Sequence, residues 1–238
     1  MADPRVDAKG ASFILYDGAV LEQVPQSWFQ ESYWRERGLV VDEVRGRGST
    51  LFVSRDQEVW VLRHYRRGGF MSRLTADNYL WMGLERTRAF REWRLLQELF
   101  DRGMPVPRPV AAHVSRNGLS YRADLITACI RDTQSWASMI GSGEVRDSHW
   151  QSIGSTVRRF HDQGVDHTDL TAHNILIDDQ QRIFVVDFDK GGFRSRGGWK
   201  KANLDRLLRS LRKVSMETGA AFDEAGWQLL VASYHSAR

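Results

Sequence analysis

His167-Thr-Asp-Leu-Thr-Ala-His-Asn174 is followed by the apolar run Ile175-Leu-Ile177, the turn signal Asp178-Asp179, a second run Ile183-Phe-Val-Val186, and then Asp187-Phe-Asp-Lys190. Two short apolar runs on either side of an acidic turn read as a two-stranded hairpin. A hairpin brings the chain back to its start, so Asp187 is expected beside Asn174, with Asp169 a few residues upstream. Two carboxylates and one amide oxygen are thereby predicted to meet, and such donors suit a hard divalent cation.

The spacing is that of a kinase catalytic loop, H-x-D-L-x-x-x-N, with a downstream D-F-G. Transfer of a γ-phosphoryl group from ATP asks a protein to orient an acceptor hydroxyl, hold Mg2+ on the phosphates and neutralise developing charge. In that reading Asp169 accepts the hydroxyl's proton, and Asn174 and Asp187 are the metal ligands. Three departures from the protein-kinase pattern stand out: Arg63 in place of a lysine (below), Thr168 in place of the arginine of H-R-D, and Asp189 in place of the glycine of D-F-G. The second leaves nothing for a phosphorylated activation loop to engage. Asp189 is open between a further metal ligand and a partner of Lys190.

Length and composition bound the rest. A chain of 238 residues makes one large domain or two lobes, with room for a sizeable core. Its one cysteine, Cys129, excludes an internal disulfide and offers no cysteine-based metal site. Met1 to Gly18 lacks the apolar centre of a signal peptide, and no run is apolar for long enough to span a membrane. The expectation is a cytoplasmic protein that can still touch a membrane surface. A formal charge of only +4 gives no case for nucleic acid, and no obligate protein partner is evident. Of 34 basic residues 29 are arginine, and no lysine lies between Lys9 and Lys190. A GC-rich genome explains that bias, as does a need for guanidinium forks on phosphates and carboxylates.

In chain order, residues 1–24 read as an edge strand or an arm. Ser27 is expected to cap a helix over 28–37 that Gly38 closes. Strands follow at 39–44 and 50–53, joined through Gly46 and Gly48. That turn is either an ordinary hairpin loop or a clamp whose backbone N–H groups approach nucleotide phosphates. The strand Glu58-Val-Trp-Val-Leu-Arg63 ends where a kinase carries its phosphate-pairing lysine, so Arg63 is the candidate for that role. Its expected acidic partner is Glu92, on a helix over 85–100 with Ala89, Trp93, Leu96 and Phe100 on one face.

Arg66, Arg67 and Arg73 lie in the densest cationic segment of the chain. They form either a solvated loop or, with Lys190, a site for an acidic acceptor or a tether to anionic lipid. Tyr79-Leu-Trp-Met82 reads as core or as a membrane-interface segment. A strand at 119–126 leads to a hinge at 127–130, dividing an N-terminal lobe (1–126) from a C-terminal lobe (131–238). In the latter, Ser148 and Gln151 form a capping-box pattern for a helix that Gly164 stops. Asn203 is expected to cap a helix that turns Leu204, Leu207, Leu208 and Leu211 inward and Arg206, Arg209 and Arg212 outward. A last helix runs over 223–236. The 51 residues after Asp187 leave no room for a peptide-binding helical lobe, which favours a small or lipid-borne acceptor.

Together these pieces resemble the 3-deoxy-D-manno-octulosonic acid (Kdo) kinases, relatives of the lipopolysaccharide core heptose kinases. The resemblance rests on Arg63-His-Tyr-Arg-Arg-Gly-Gly69, Thr87-Arg-Ala-Phe-Arg-Glu-Trp-Arg-Leu-Leu96, His167 to Leu176, Asp187 to Lys190, and Trp199-Lys with Asn203 through Arg212. It implies an α+β, two-lobed protein-kinase-like fold, with an antiparallel N-terminal sheet carrying one main helix and a shortened, mostly helical second lobe. It also implies phosphorylation, usually at the 4-position, of Kdo on a lipid A precursor at the cytoplasmic face of the inner membrane of a Gram-negative bacterium. A heptose kinase and an inactive kinase-shaped scaffold are the competing readings; retention of Asp169, Asn174 and Asp187 speaks against the second.

Overall fold

The computed structural model describes residues 2–45, 49–66 and 78–236. The chain divides into two compact units, one of Met1–Gly103 with Pro107–Ile130 and one of Met104–Val106 with Arg131–Arg238.

The first unit is built on strands β1 (Pro4–Lys9), β2 (Ser12–Asp17), β3 (Val40–Arg45), β4 (Ser49–Arg55), β5 (Glu58–His64), β6 (Tyr79–Leu80), β7 (Pro109–Asn117) and β8 (Ser120–Ala128). Their order is β1-β2-β7-β8-β5-β4-β3, with β6 beside β8, and every pairing is antiparallel. Alternation along the strands gives the sheet two apolar faces. One packs against helix α2 (Arg88–Asp101), whose Phe90, Trp93, Leu96 and Leu99 are buried. The other holds Trp28, Trp34, Trp60, Leu51, Val53 and Leu62 in one cluster. Side chains of this size contribute roughly 1.5–3 kcal/mol each on full burial, so these two layers dominate the unit's stability.

Across the sheet, Asp124 on β8 receives His113 on β7 and His64 on β5, and His113 reaches Ser12 on β2. Burial works against the Asp124 charge, but the two histidine hydrogen bonds outweigh it and hold its pKa below the ordinary carboxylate value.

Several local expectations are corrected here. The edge strand read in residues 1–24 is β1, but it is followed by a second strand, β2, which is interior to the sheet. Ser27 sits in a 3-10 turn (Gln26–Phe29), and the helix after it, α1, covers only Glu31–Glu36. Pro25 fixes the turn's entry, and burial of Trp28 and Phe29 holds it against continuing as α-helix. The strand β7 has no strong alternation, because it is buried on both faces over Pro109–Val114 and reads as a plain apolar run. Phe100 points outward at 41% exposure, since α2 turns Leu95 and Leu99 inward instead.

The second unit has helices α3 (Trp136–Ser142), α4 (Asp147–Asp162), α5 (Trp199–Thr218) and α6 (Glu224–Ser236). Strands β9 (Thr133–Ser135), β11 (Ile175–Asp178) and β12 (Ile183–Val185) form a sheet in the order β12-β11-β9, and β10 (Val165–Asp166) pairs with β13 (Gly192–Phe193). Helices α4 and α6 approach closely because Gly154 faces the Leu230 carbonyl, which a Cβ would meet at 2.3 Å. Helix α4 begins one residue before Ser148: the Arg146 N–H donates to His149 Nδ1 at 3.0 Å, so a histidine makes the bond expected of the serine pattern. Its other nitrogen is engaged by Gln181 Oε1, which buries the ring and anchors the helix start to the β11–β12 turn.

Candidate active site

The β11–β12 hairpin is built as its sequence suggests. Ile175 pairs with Val185 and Ile177 with Ile183. Asp178 turns the chain by accepting from the backbone N–H of Gln180 and Arg182 at 3.0 and 2.8 Å, which holds its pKa low despite its burial. One step beyond the strands, the Val186 N–H donates to the Asn174 carbonyl at 3.0 Å, so Asp187 leaves the hairpin next to Asn174. Asp187 has φ 66°, a left-handed conformation that Asp adopts more readily than most non-glycine residues. After it the buried Phe188 lies between His167 and Phe160, with ring centroids 4.5 and 5.9 Å away.

The loop from Asp166 to Asn174 is pinned by backbone and side chains alike. His167 Nε2 pairs with the Val186 carbonyl at 3.0 Å; a carbonyl only accepts, so Nε2 carries the proton. Burial pushes the His167 pKa down and keeps the ring neutral, which makes it a strut of the loop. Asn174 Nδ2 donates to the Asp169 carbonyl at 2.9 Å, and that bond fixes the amide so that Oδ1 faces the other way. The Asn174 amide oxygen and the Asp187 carboxylate, on residues that the hairpin brings side by side, are donors of the type that suits a magnesium ion.

Helix α5 holds the loop from the far side. Asn203 is buried inside this helix rather than at its start, because Trp199 opens it one turn earlier. Its Oδ1 accepts from the His167 N–H at 3.0 Å, and its Nδ2 donates to Asp166 Oδ1 at 2.8 Å. One turn on, Arg206 donates through Nε to Asp169 Oδ1 at 2.7 Å and through Nη2 to the same oxygen. A further turn on, Ser210 Oγ accepts from the Ala172 N–H at 3.1 Å. Expected as a cap and a solvated charge, Asn203 and Arg206 instead grip the loop. The available signal was Asn203 itself, a polar residue at a place in the apolar stripe Trp199, Leu207, Leu211 where helical spacing calls for another large side chain.

In the first unit, Arg63 on β5 donates through Nη2 to Glu92 Oε1 on α2, and Tyr65 donates to Glu92 Oε2. Glu92 is 1% exposed, so the ion pair lies at the seam between the sheet and the helix. Arg66 and Lys190 are exposed. Gly46, Gly48, Arg67 and Arg73 lie outside the described residues.

An antiparallel sheet carrying one main helix with a strand–helix Arg–Glu pair, and a mostly helical unit carrying the aspartate loop and its hairpin, make this an α+β protein of the protein-kinase-like phosphotransferase class. The profile of the Lipopolysaccharide kinase (Kdo/WaaP) family matches residues 31–234, and the chain belongs to that family. It is 38% identical to the 3-deoxy-D-manno-octulosonic acid kinase of Vibrio cholerae serotype O1 over 93% of this chain and 94% of that one. It is 43% identical to the kinase of the same name from Xylella fastidiosa (strain M12), over 86% and 82% of the two chains. Among solved structures, the bifunctional kinase-methyltransferase WbdD aligns with a TM-score of 0.47 at 15% identity, over 79% of this chain and 42% of that one.

Proposed function

We propose that this protein transfers the γ-phosphoryl group of ATP to a hydroxyl, at the 4-position, of a Kdo sugar carried on a lipid A precursor during assembly of the lipopolysaccharide inner core. The observation that carries this reading is the Asp169 carboxylate. One oxygen is held by Arg206, the other has no partner among the described residues, and Asn174 is bonded to the same residue's carbonyl. In the reaction the acceptor oxygen forms a bond to the γ-phosphorus as the bond to the β–γ bridging oxygen breaks and ADP leaves. The acceptor's proton passes late to Asp169, as a loose transition state requires. Magnesium, when bound through Asn174 Oδ1 and the Asp187 carboxylate, offsets charge on the phosphates. Arg63, steadied by Glu92, takes the phosphate-pairing role with a guanidinium in place of an ammonium.

The acceptor is lipid-borne in this reading, so the protein works at the cytoplasmic face of the inner membrane. One end of the sheet supports such a contact. Leu80, Met82 and Leu119 are 63%, 62% and 78% exposed, and the Trp81 N–H donates to the Leu119 carbonyl at 2.9 Å. Arg116 lies over the Trp81 ring at 4.8 Å, Arg122 is exposed in the same β7–β8 hairpin, and Lys9 is exposed at the β1–β2 turn, whose Ala11 carbonyl accepts from the Arg116 N–H at 2.8 Å. Apolar tips rimmed by cations match an anionic bilayer surface. Among the described residues no helix is long and apolar enough to cross a membrane.

Incubation with MgATP and either Kdo-bearing lipid A precursor or heptosylated core, with mass spectrometry of the products, tests the assignment. Phosphate is expected on the Kdo acceptor alone, and Asp169→Ala is expected to lose at least ~10²-fold in turnover, the scale of a general base. Phosphate on the heptose acceptor alone would replace the substrate assignment, and undiminished turnover in Asp169→Ala would remove the base.

A further inference from the structure

We infer that Arg206 is the positioning residue of the acceptor base: helix α5 supplies to Asp169 the cation that the loop itself does not carry. The inference rests on the reading of Asp169 as base and adds a residue that no motif of the loop contains. Within His167–Asn174 there is no arginine or lysine. The positive charge comes instead from a residue 37 positions away in sequence.

Three contacts from one helix face set its direction. Asn203, Arg206 and Ser210 lie about one turn apart, and they meet the loop at Asp166 with His167, at Asp169, and at Ala172. The outer two hold the backbone at His167 and Ala172, with a further bond to the Asp166 side chain, and the middle one fixes the Asp169 carboxylate. Both guanidinium donors converge on Oδ1, so rotation about the last side-chain bond is stopped in a single orientation with Oδ2 turned away from the arginine. Oδ2 is the oxygen left to meet an acceptor hydroxyl.

Magnitude separates this role from a structural one. The two side chains are 43% and 46% exposed, and ion pairs at that exposure add little to stability because water and salt screen them. Loop backbone and fold are already secured by the two neighbouring contacts. Orientation of a reacting group, in contrast, is worth large factors in rate, and a misplacement of about 1 Å costs ~10²-fold. The pair therefore belongs to catalysis more than to folding.

The test is a kinetic cycle on the full-length protein with MgATP and the Kdo acceptor, using Arg206→Gln, Arg206→Lys, Asp169→Asn and the double variant Asp169→Asn/Arg206→Gln. Arg206→Gln is expected to lower kcat by about 10- to 100-fold, with KM for ATP and the thermal midpoint unchanged. Arg206→Lys should recover part of that loss, since an ammonium supplies the charge without the fork. The double variant should be no slower than Asp169→Asn, because a residue acting through the carboxylate has nothing left to act on. Losses that multiply in the double variant would overturn the inference in favour of direct contact with the substrates. So would a fall in thermal midpoint that accounts for the lost rate, or wild-type turnover in Arg206→Gln. An unimpaired Asp169→Asn would sink the base assignment itself, a separate outcome from failure at Arg206 alone.

Discussion

His161 lies buried in the second unit, edge-on to Trp199 and Tyr234 with centroids 5.1 and 5.4 Å away, and its Nδ1 pairs with the Tyr234 hydroxyl at 2.7 Å. Burial is the main cause that brings its pKa down from 6.5 to about 4. The folded form thus refuses a proton that the unfolded chain accepts. The stability that His161 contributes is complete above pH 6.5, falls as pH drops below that value, and is gone once pH passes through about 4. The size is roughly 3 kcal/mol over that window by the linkage relation. Urea unfolding at a series of pH values should therefore show a shallower acid decline in His161→Gln than in the parent protein. Parallel declines would mean that the ring is as easily protonated folded as unfolded.

At the scale of elements, the second unit depends on how closely α4 and α6 approach. Gly154 stands where a methyl group would sit 2.3 Å from the Leu230 carbonyl, and Gly226 where one would strike the Trp150 ring at the same distance. Alanine at position 154 would gain up to about 1 kcal/mol in helix propensity. The overlap is with backbone, which cannot rotate away, and overpacking of this kind costs about 1–3 kcal/mol. The cost wins. Gly154→Ala is expected to lower the thermal midpoint by about 2–10 °C, whereas Gly198→Ala, whose Cβ would meet nothing within 4 Å, should leave it near the parent value. Calorimetry of the two variants checks this, and equal midpoints would refute the close-packing account.

For the whole molecule the open prediction is whether the exposed end of the sheet meets lipid. Co-sedimentation with phosphatidylglycerol vesicles should exceed that with phosphatidylcholine vesicles, and should weaken in Met82→Asp/Leu119→Asp and in Arg116→Glu. The same variants should phosphorylate a water-soluble Kdo acceptor at the parent rate, because the patch contains none of the residues proposed for the base, the metal or the phosphates. Sedimentation unchanged in both variants would remove this end of the sheet from any membrane contact. Much of the architecture behind these predictions is legible locally. The strands β3, β4, β5 and β8 and the hairpin β11–β12 announce themselves by apolar runs between turn residues. The helices α2 and α6 announce themselves by their periodicity or by Asp223, whose Oδ1 accepts from the Gly226 N–H. The strand β7 was hidden, because burial on both faces erases the alternation by which a strand is read.

The sequence by itself determined the pattern of candidate residues: an aspartate, an asparagine and a second aspartate at spacings that only a short loop and a hairpin separate, and an arginine at the end of a strand with a glutamate on the next long helix. Those relations are local or follow from one element's period, so adjacent residues encode them. Only the tertiary structure decided what holds the Asp169 loop. Asn203 and Arg206 reach Asp166, His167 and Asp169 across 36 or 37 residues of chain. Whether a polar residue on a helix caps its own end, faces water or grips a distant loop is set by which side that helix packs, and packing is a property of the whole unit that no window of sequence contains.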